Sequence, residues 1–176
     1  TSVGSGLSNS AALNIGGWTG SARLASTEKW DGTNWTEVGD LNTARYNGGG
    51  AGGSTTAALM FGGLTTPPTT YKDLVEEWNG TCWSEVADLN TARSAGGLGQ
   101  SAEAALAFGG YTGTANTGAT ESWNGSAWTE VNYLNTAREQ ISGSGEYTDA
   151  VAFGGNPMTG KTETWNGSVW FETADL

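Results

Sequence analysis

Residues Thr120–Arg138 read TESWNGSAWTEVNYLNTAR. Nearly the same words occur twice before, as TEKWDGTNWTEVGDLNTAR over Thr27–Arg45 and VEEWNGTCWSEVADLNTAR over Val75–Arg93. A fourth version, TETWNGSVWFETADL, runs from Thr162 to Leu176. Self-similarity at a fixed period decides the architecture before any local propensity does. The first Trp of each pair stands at 30, 78, 123 and 165, the second at 35, 83, 128 and 170, and a Gly-Gly pair ends at 17, 63, 110 and 155. These marks divide the chain into four units: Thr1–Leu41, Asn42–Leu89, Asn90–Leu134 and Asn135–Leu176. A period in the forties without helical patterning indicates propeller blades rather than a helical solenoid.

Each unit reads as four short strands. The first is rich in Gly and Ser (TSVGSG, YNGGGAGG, SAGGLG, EQISGSG). The second is an apolar run ending in Gly-Gly (AALNIGG, AALMFGG, AALAFGG, AVAFGG), the pattern of a strand buried on both faces. The third ends at the first Trp and the fourth begins at the second. Asn-Gly or Asp-Gly between them is a tight-turn signal, because both residues tolerate positive φ. The reading is therefore an all-β protein, a β-propeller of four four-stranded antiparallel blades forming one domain over 1–176. Innermost strands converge on the axis, where Gly and Ala let backbones approach. The Trp pairs supply apolar bulk for the wedges between blades.

Thr1 stands just after the place of an NTAR arginine, and Leu176 just before an NTAR. Four whole units lacking one linker fit a ring whose first and fourth blades meet by packing alone. A segment of a longer array, or two chains sharing a larger ring, fits the same boundaries.

The formal charge is −11 with only 7 basic residues, which argues against nucleic acid and anionic membrane surfaces as partners. No apolar run approaches membrane-spanning length. The opening TSVGSG has neither an initiator Met nor the pattern of a secretion signal, so no address is read from it. The lone cysteine, Cys82, cannot form an internal disulfide and sits in a turn where its siblings are Asn34, Ala127 and Val169, which marks it as incidental. Asn34, Asn79, Asn124 and Asn166 match the glycosylation sequon, and the last three are explained by the turn itself.

The Gly-Gly after an apolar strand, followed by an aromatic and then a Trp about six positions on, resembles the kelch repeat. Trp30, Trp78, Trp123 and Trp165 stand where that family usually has Tyr, and the resemblance covers the whole chain. The LNTAR and WNGxxW forms also resemble tandem repeats of marine bacteriophages and ocean metagenomes. Such proteins are usually described as kelch-like or galactose-oxidase-central-domain-like. The resemblance implies a virion or extracellular location, as a monomer or as part of a larger virion assembly. Galactose oxidases of this fold use a copper site built on His and a modified Tyr. This chain has no His, so neither that site nor Ser-His-Asp chemistry carries over. Sialidase-like propellers use an Arg triad, but Arg45, Arg93 and Arg138 occupy equivalent linker positions rather than one asymmetric pocket. No catalytic residue, metal or cofactor is assigned, and the chain is read as a non-enzyme.

Strand direction places the NTAR linkers and the loops after Gly-Gly on one face. Arg45, Arg93 and Arg138 there form a candidate clamp for an anion or glycan, since Arg forks onto carboxylate, sulfate or phosphate. Their repetition in every linker is what a structural tie to neighbouring carbonyls requires, and it favours that reading. The loops after Gly-Gly vary in length, and binding residues concentrate in such loops. Trp18 and Tyr111 open two of them and can stack on a sugar ring or a partner side chain. The expected ligand is a glycan or a protein surface, read by Trp18, Tyr111, Arg45, Arg93 and Arg138. A structural bead of a fibre or capsid with no soluble ligand is the alternative.

A symmetric hairpin would set Glu28 against Glu37, Glu76 against Glu85, Glu121 against Glu130 and Glu163 against Glu172. Like charges across a ladder repel, which raises the question of a bound cation. A two-residue turn on Asn-Gly would instead put Glu28 opposite Trp35.

Overall fold

The computed structural model describes residues 2–176, apart from the side chains of Leu7 and Gln100; Thr1 lies outside it. The described residues form strands and no helix. Blade 1 comprises β1 (Val3–Ser8), β2 (Ala11–Trp18), β3 (Arg23–Trp30) and β4 (Trp35–Glu37). Blade 2 comprises β5 (Gly49–Ala51), β6 (Ala58–Phe61), β9 (Val75–Trp78) and β10 (Trp83–Glu85). Its loop after Gly-Gly carries a small ribbon, β7 (Leu64–Thr65) with β8 (Thr70–Tyr71). Blade 3 is β11 (Gly96–Ser101), β12 (Ala104–Phe108), β13 (Thr120–Trp123) and β14 (Trp128–Val131). Blade 4 is β15 (Ser142–Glu146), β16 (Asp149–Phe153), β17 (Thr162–Trp165) and β18 (Trp170–Glu172). Every blade is antiparallel, with its strands adjacent in chain order, and the four form a four-bladed β-propeller.

The outer hairpins take the symmetric register. Trp30 pairs with Trp35 and Glu28 with Glu37, and the other three blades repeat both pairings. The expectation that the Asx residue shares the positive φ of a tight turn is corrected. Only the glycines, Gly32, Gly80, Gly125 and Gly167, enter that region, at φ between 88° and 95°. The Asx instead acts as an acceptor. Asp31 Oδ1 takes the N–H groups of Thr33 and Asn34, both at 2.8 Å. Asn79, Asn124 and Asn166 do the same. Such side-chain caps close a four-residue connection and leave the Trp residues face to face.

The inner strands meet around a narrow channel of ≈ 190 Å³, lined by Gly4–Gly6, Gly50–Gly52, Gly97–Gly99 and Gly143–Gly145. Glycine is needed there for close approach rather than for flexibility. A Cβ on Gly97 would lie 2.2 Å from the Phe61 ring of the preceding blade, and one on Gly143 2.6 Å from that of Phe108. The same phenylalanines meet the second Trp of the following blade edge-on, Phe61 with Trp128 at 5.1 Å and Phe108 with Trp170 at 5.4 Å between centroids.

Apolar clusters fill the seams between consecutive blades. Leu13, Ile15 and Leu41 pack on Met60, Trp78 and Trp83 between blades 1 and 2. Leu59, Phe61 and Leu89 pack on Ala105, Trp123 and Trp128 between blades 2 and 3. Leu106, Phe108 and Leu134 pack on Ala152, Trp165 and Trp170 between blades 3 and 4. No such cluster joins blade 4 to blade 1 among the described residues. Trp35 there is 49 % exposed, where Trp83, Trp128 and Trp170 are 5–7 % exposed.

Two predictions follow from this packing. Trp123 is 1 % exposed and donates its indole N–H to the Ala102 carbonyl at 2.9 Å. Trp123→Ala should cost about 3–5 kcal/mol, read as a lowered urea midpoint; unchanged unfolding would remove this Trp from the core. Trp83 and Trp170 donate across their seams to Thr27 and Thr120 hydroxyls, whereas the buried Trp128 Nε1 has no acceptor because Val75 occupies the matching place. Val75→Thr should supply one, adding roughly 1 kcal/mol and a rise in Tm of about 2–4 °C.

Candidate functional site

The linkers between blades begin with Asn and end with Arg, and their geometry repeats three times. Each Arg enters the next blade and pairs with the first Glu of its third strand: Arg45 with Glu76, Arg93 with Glu121, Arg138 with Glu163. All three guanidinium side chains are wholly buried. Each also donates to backbone carbonyls, although the buried Arg45 Nε finds no acceptor. Arg93 donates to Thr91, Gly109 and Ala107 at 3.0, 3.1 and 3.5 Å. The other oxygen of the Glu takes two N–H groups from the linker Asn. For Glu76 these are the Asn42 backbone at 2.7 Å and its side chain at 2.9 Å.

This arrangement corrects the clamp expected of Arg45, Arg93 and Arg138. A guanidinium with no exposed surface is out of reach of an external anion, and this holds for Arg45 too, whose Nε has no acceptor but is itself buried. The alternative given above, a tie holding each crossover, is the one the geometry realises. Burial pulls the Arg45 guanidinium below its ordinary value, and Glu76 opposes that shift. An arginine so placed still carries its charge at any physiological pH. The like-charge question at the Glu pairs resolves the same way in blades 2–4. The inner Glu has its counter-charge from the linker, while its cross-strand partner faces solvent.

With the arginines withdrawn, the linker face is left with aromatics and amides. The residue after each Arg pairs by backbone hydrogen bonds with the residue after Gly-Gly: Tyr46 with Leu64, Ser94 with Tyr111, Glu139 with Asn156. Trp18 and Tyr111, the two expected contact residues, are partly buried rather than free-standing. Trp18 stacks on Tyr46 at 5.4 Å and 29°, and Tyr111 meets Tyr71 edge-on at 5.5 Å and 66°. The Tyr71 hydroxyl is pushed above its ordinary value, first by burial and then by the Glu139 carboxylate.

Inward of the linkers, at the channel mouth, lies a hollow of ≈ 510 Å³ lined by Asn47, Ser94, Glu139, Gln140 and Ser142 among others. Two of these, Asn47 at φ 55° and Gln140 at φ 54°, are the non-glycine residues with positive φ among the described residues. A left-handed Gln costs of order 1 kcal/mol or more and clusters at functional positions. Glu139 is oriented by the Asn156 amide at 2.8 Å. The hollow thus presents amide donors, hydroxyls and one carboxylate, with aromatic rings outside its rim. Such a lining can hydrogen-bond a neutral polyhydroxylated molecule, and it lacks the cationic groups that would hold a polyanion.

Sequence reasoning missed Tyr46, Tyr71, Asn47 and Gln140. Tyr46 and Asn47 were readable in principle, standing directly after Arg45 and before a run of glycines. Tyr71 reaches this face through the β7–β8 ribbon, which no repeat signal announces. Comparison with protein-family models finds no match for this chain, and comparison with curated proteins finds none either.

The linker tie gives its own prediction. Arg93→Ala would strand the Glu121 carboxylate in the interior and should cost about 3–5 kcal/mol. Arg93→Lys should recover only a minor part, because an ammonium cannot reach the three carbonyls and the carboxylate together. Urea unfolding of the two variants measures both numbers; a fully stable Arg93→Lys would show that charge alone, without the fork, holds the linker.

Proposed function

We propose that this chain is a non-catalytic binding module, a kelch-like propeller that serves adhesion on a phage virion or another extracellular surface and takes a glycan on its linker face. The observation that carries the reading is the pairing of aromatic rings, Trp18 on Tyr46 and Tyr71 on Tyr111, beside a polar hollow of ≈ 510 Å³. Sugar rings are recognised by that combination, apolar C–H faces on aromatic planes and hydroxyls on amides and carboxylates. Partner-supported rings lose little freedom on binding, which suits them as anchors. The strong negative charge directs the module toward neutral or cationic surfaces rather than sulfated or phosphorylated ones.

A second reading has its own support. The buried Arg–Glu ion pair repeats at all three linkers, as expected of a bead whose only task is to hold shape.

A glycan array and a panel of marine cells, probed with the parent chain and a Trp18→Ala, Tyr111→Ala variant, separate the two. The variant should melt like the parent and bind more than about tenfold more weakly, the weight of a lost aromatic anchor. Equal binding by the variant would overturn the assignment of the face. No binding to any glycan by the folded parent would favour the structural bead, and binding to protease-sensitive cell sites only would make the ligand a protein.

A further inference from the structure

We propose that a hollow between the first linker and blade 2 binds a single oxyanionic group, a carboxylate, sulfate or phosphate, through Arg23 and Lys72. This hollow is separate from the one lined by Glu139 and Gln140, and the proposal does not depend on the glycan reading.

Cations are few in this chain, and most are engaged. Of 7 basic residues, Arg45, Arg93, Arg138 and Lys161 form ion pairs. Arg23, Lys29 and Lys72 remain, and none of them lies in an ion pair among the described residues. Arg23 and Lys72 line one hollow of ≈ 690 Å³ on the third-strand side of the first linker. In a chain of charge −11 a carboxylate would be the ordinary neighbour of each, yet none lines this hollow. The hydroxyl residues Ser21, Thr43 and Thr65 complete much of its polar wall. Glu76 lies beneath the linker, but its charge is balanced by Arg45 and its oxygens accept from Asn42 and Thr43.

Both cations stand on fixed backbone. Arg23 opens β3 opposite Trp18 of β2. Lys72 donates its backbone N–H to the Gly63 carbonyl at 2.9 Å, and its own carbonyl accepts the Arg93 N–H at 3.1 Å. Both residues are partly buried, which limits the freedom their side chains lose on binding.

The repeat shows that the fold does not need these charges. Leu24, Lys72 and Thr117 are equivalent, each pairing by backbone with the second Gly of its Gly-Gly, Gly17, Gly63 or Gly110. The residues before them are Arg23, Tyr71 and Asn116. The seam between blades 2 and 3 thus has Tyr71 and Thr117 in the places of Arg23 and Lys72, and it closes without either cation. Two like charges placed together with no counter-charge, where the scaffold asks for none, are explained by an anion between them.

The net charge opposes extended polyanions. It does not govern one anionic group in contact with two cations, because exposed charges are screened beyond about 8 Å at physiological salt. Within that range Arg23 can fork onto two oxygens while Lys72 supplies a point charge.

The test is an amide chemical-shift titration of the intact chain with glucuronate, sulfate and inorganic phosphate, at an ionic strength held constant with sodium chloride. Glucose is the neutral comparison. The three anions should give saturable shifts at Arg23, Thr43, Thr65 and Lys72, and glucose should give none there. Affinity should fall at least about tenfold in Arg23→Gln and in Lys72→Gln, as expected for loss of a charge-assisted contact. Lys29→Gln removes the same charge elsewhere and should bind like the parent. The Tm of each variant shows that it is folded. Tightest binding of glucuronate would assign the site to an acidic sugar, and tightest binding of phosphate to a phosphate group. Absence of saturable shifts at millimolar anion would overturn the proposal. So would undiminished affinity in the Arg23 and Lys72 variants, or an equal loss in Lys29→Gln, because either would reduce the effect to adventitious ion pairing or overall charge.

Discussion

Glu76, Glu121 and Glu163 lie in the interior with Arg45, Arg93 and Arg138, and neither partner of a pair could be there alone. A buried ion pair adds little net stability over a hydrophobic replacement, but it is unforgiving of misplacement. The Arg belongs to a linker and the Glu to the third strand of the next blade. Satisfying both fixes where the chain crosses and which strand it meets. The Asn at the head of the linker closes the same carboxylate from the other side. One carboxylate therefore organises the four residues of each crossover, and the blades can be joined by short segments without regular structure of their own.

The rest of the packing is arranged around that crossover. Phenylalanines of one blade need glycines in the first strand of the next, and those glycines let the four inner strands close around a narrow channel. The outer hairpins present Trp pairs, with ring centroids 5.3–5.5 Å apart, toward the preceding blade. Bulk is thus placed at the outside of each wedge and removed at its apex, as the shape of a wedge demands.

The repeat made the architecture legible. Four Trp pairs and four Gly-Gly marks were enough to place sixteen blade strands, because a single blade cannot bury its faces alone. Hairpin register was not legible, since Asn-Gly is compatible with several turns. The choice was made by an Asx side-chain oxygen that caps two N–H groups, a detail of geometry rather than of composition. The arginines show the converse limit. Their recurrence was visible, but burial is a property of the neighbours. A charged residue in a surface linker reads as exposed until its Glu partner, some thirty residues on, is known to lie beneath it. Trp18 and Tyr111 drew notice in the sequence because they break the repeat. Tyr46 and Tyr71 were missed because contact across blades leaves no mark on local sequence.

The uneven seams also bear on cooperativity. Each blade shares its core only with its immediate neighbours, so the molecule behaves energetically as a short linear array bent into a circle. Among the described residues, blades 1 and 4 each have one well-packed flank, whereas blades 2 and 3 have two. Amide exchange would therefore be fastest in the outer blades and slowest in β6 and β12, and the circle would open before it melts.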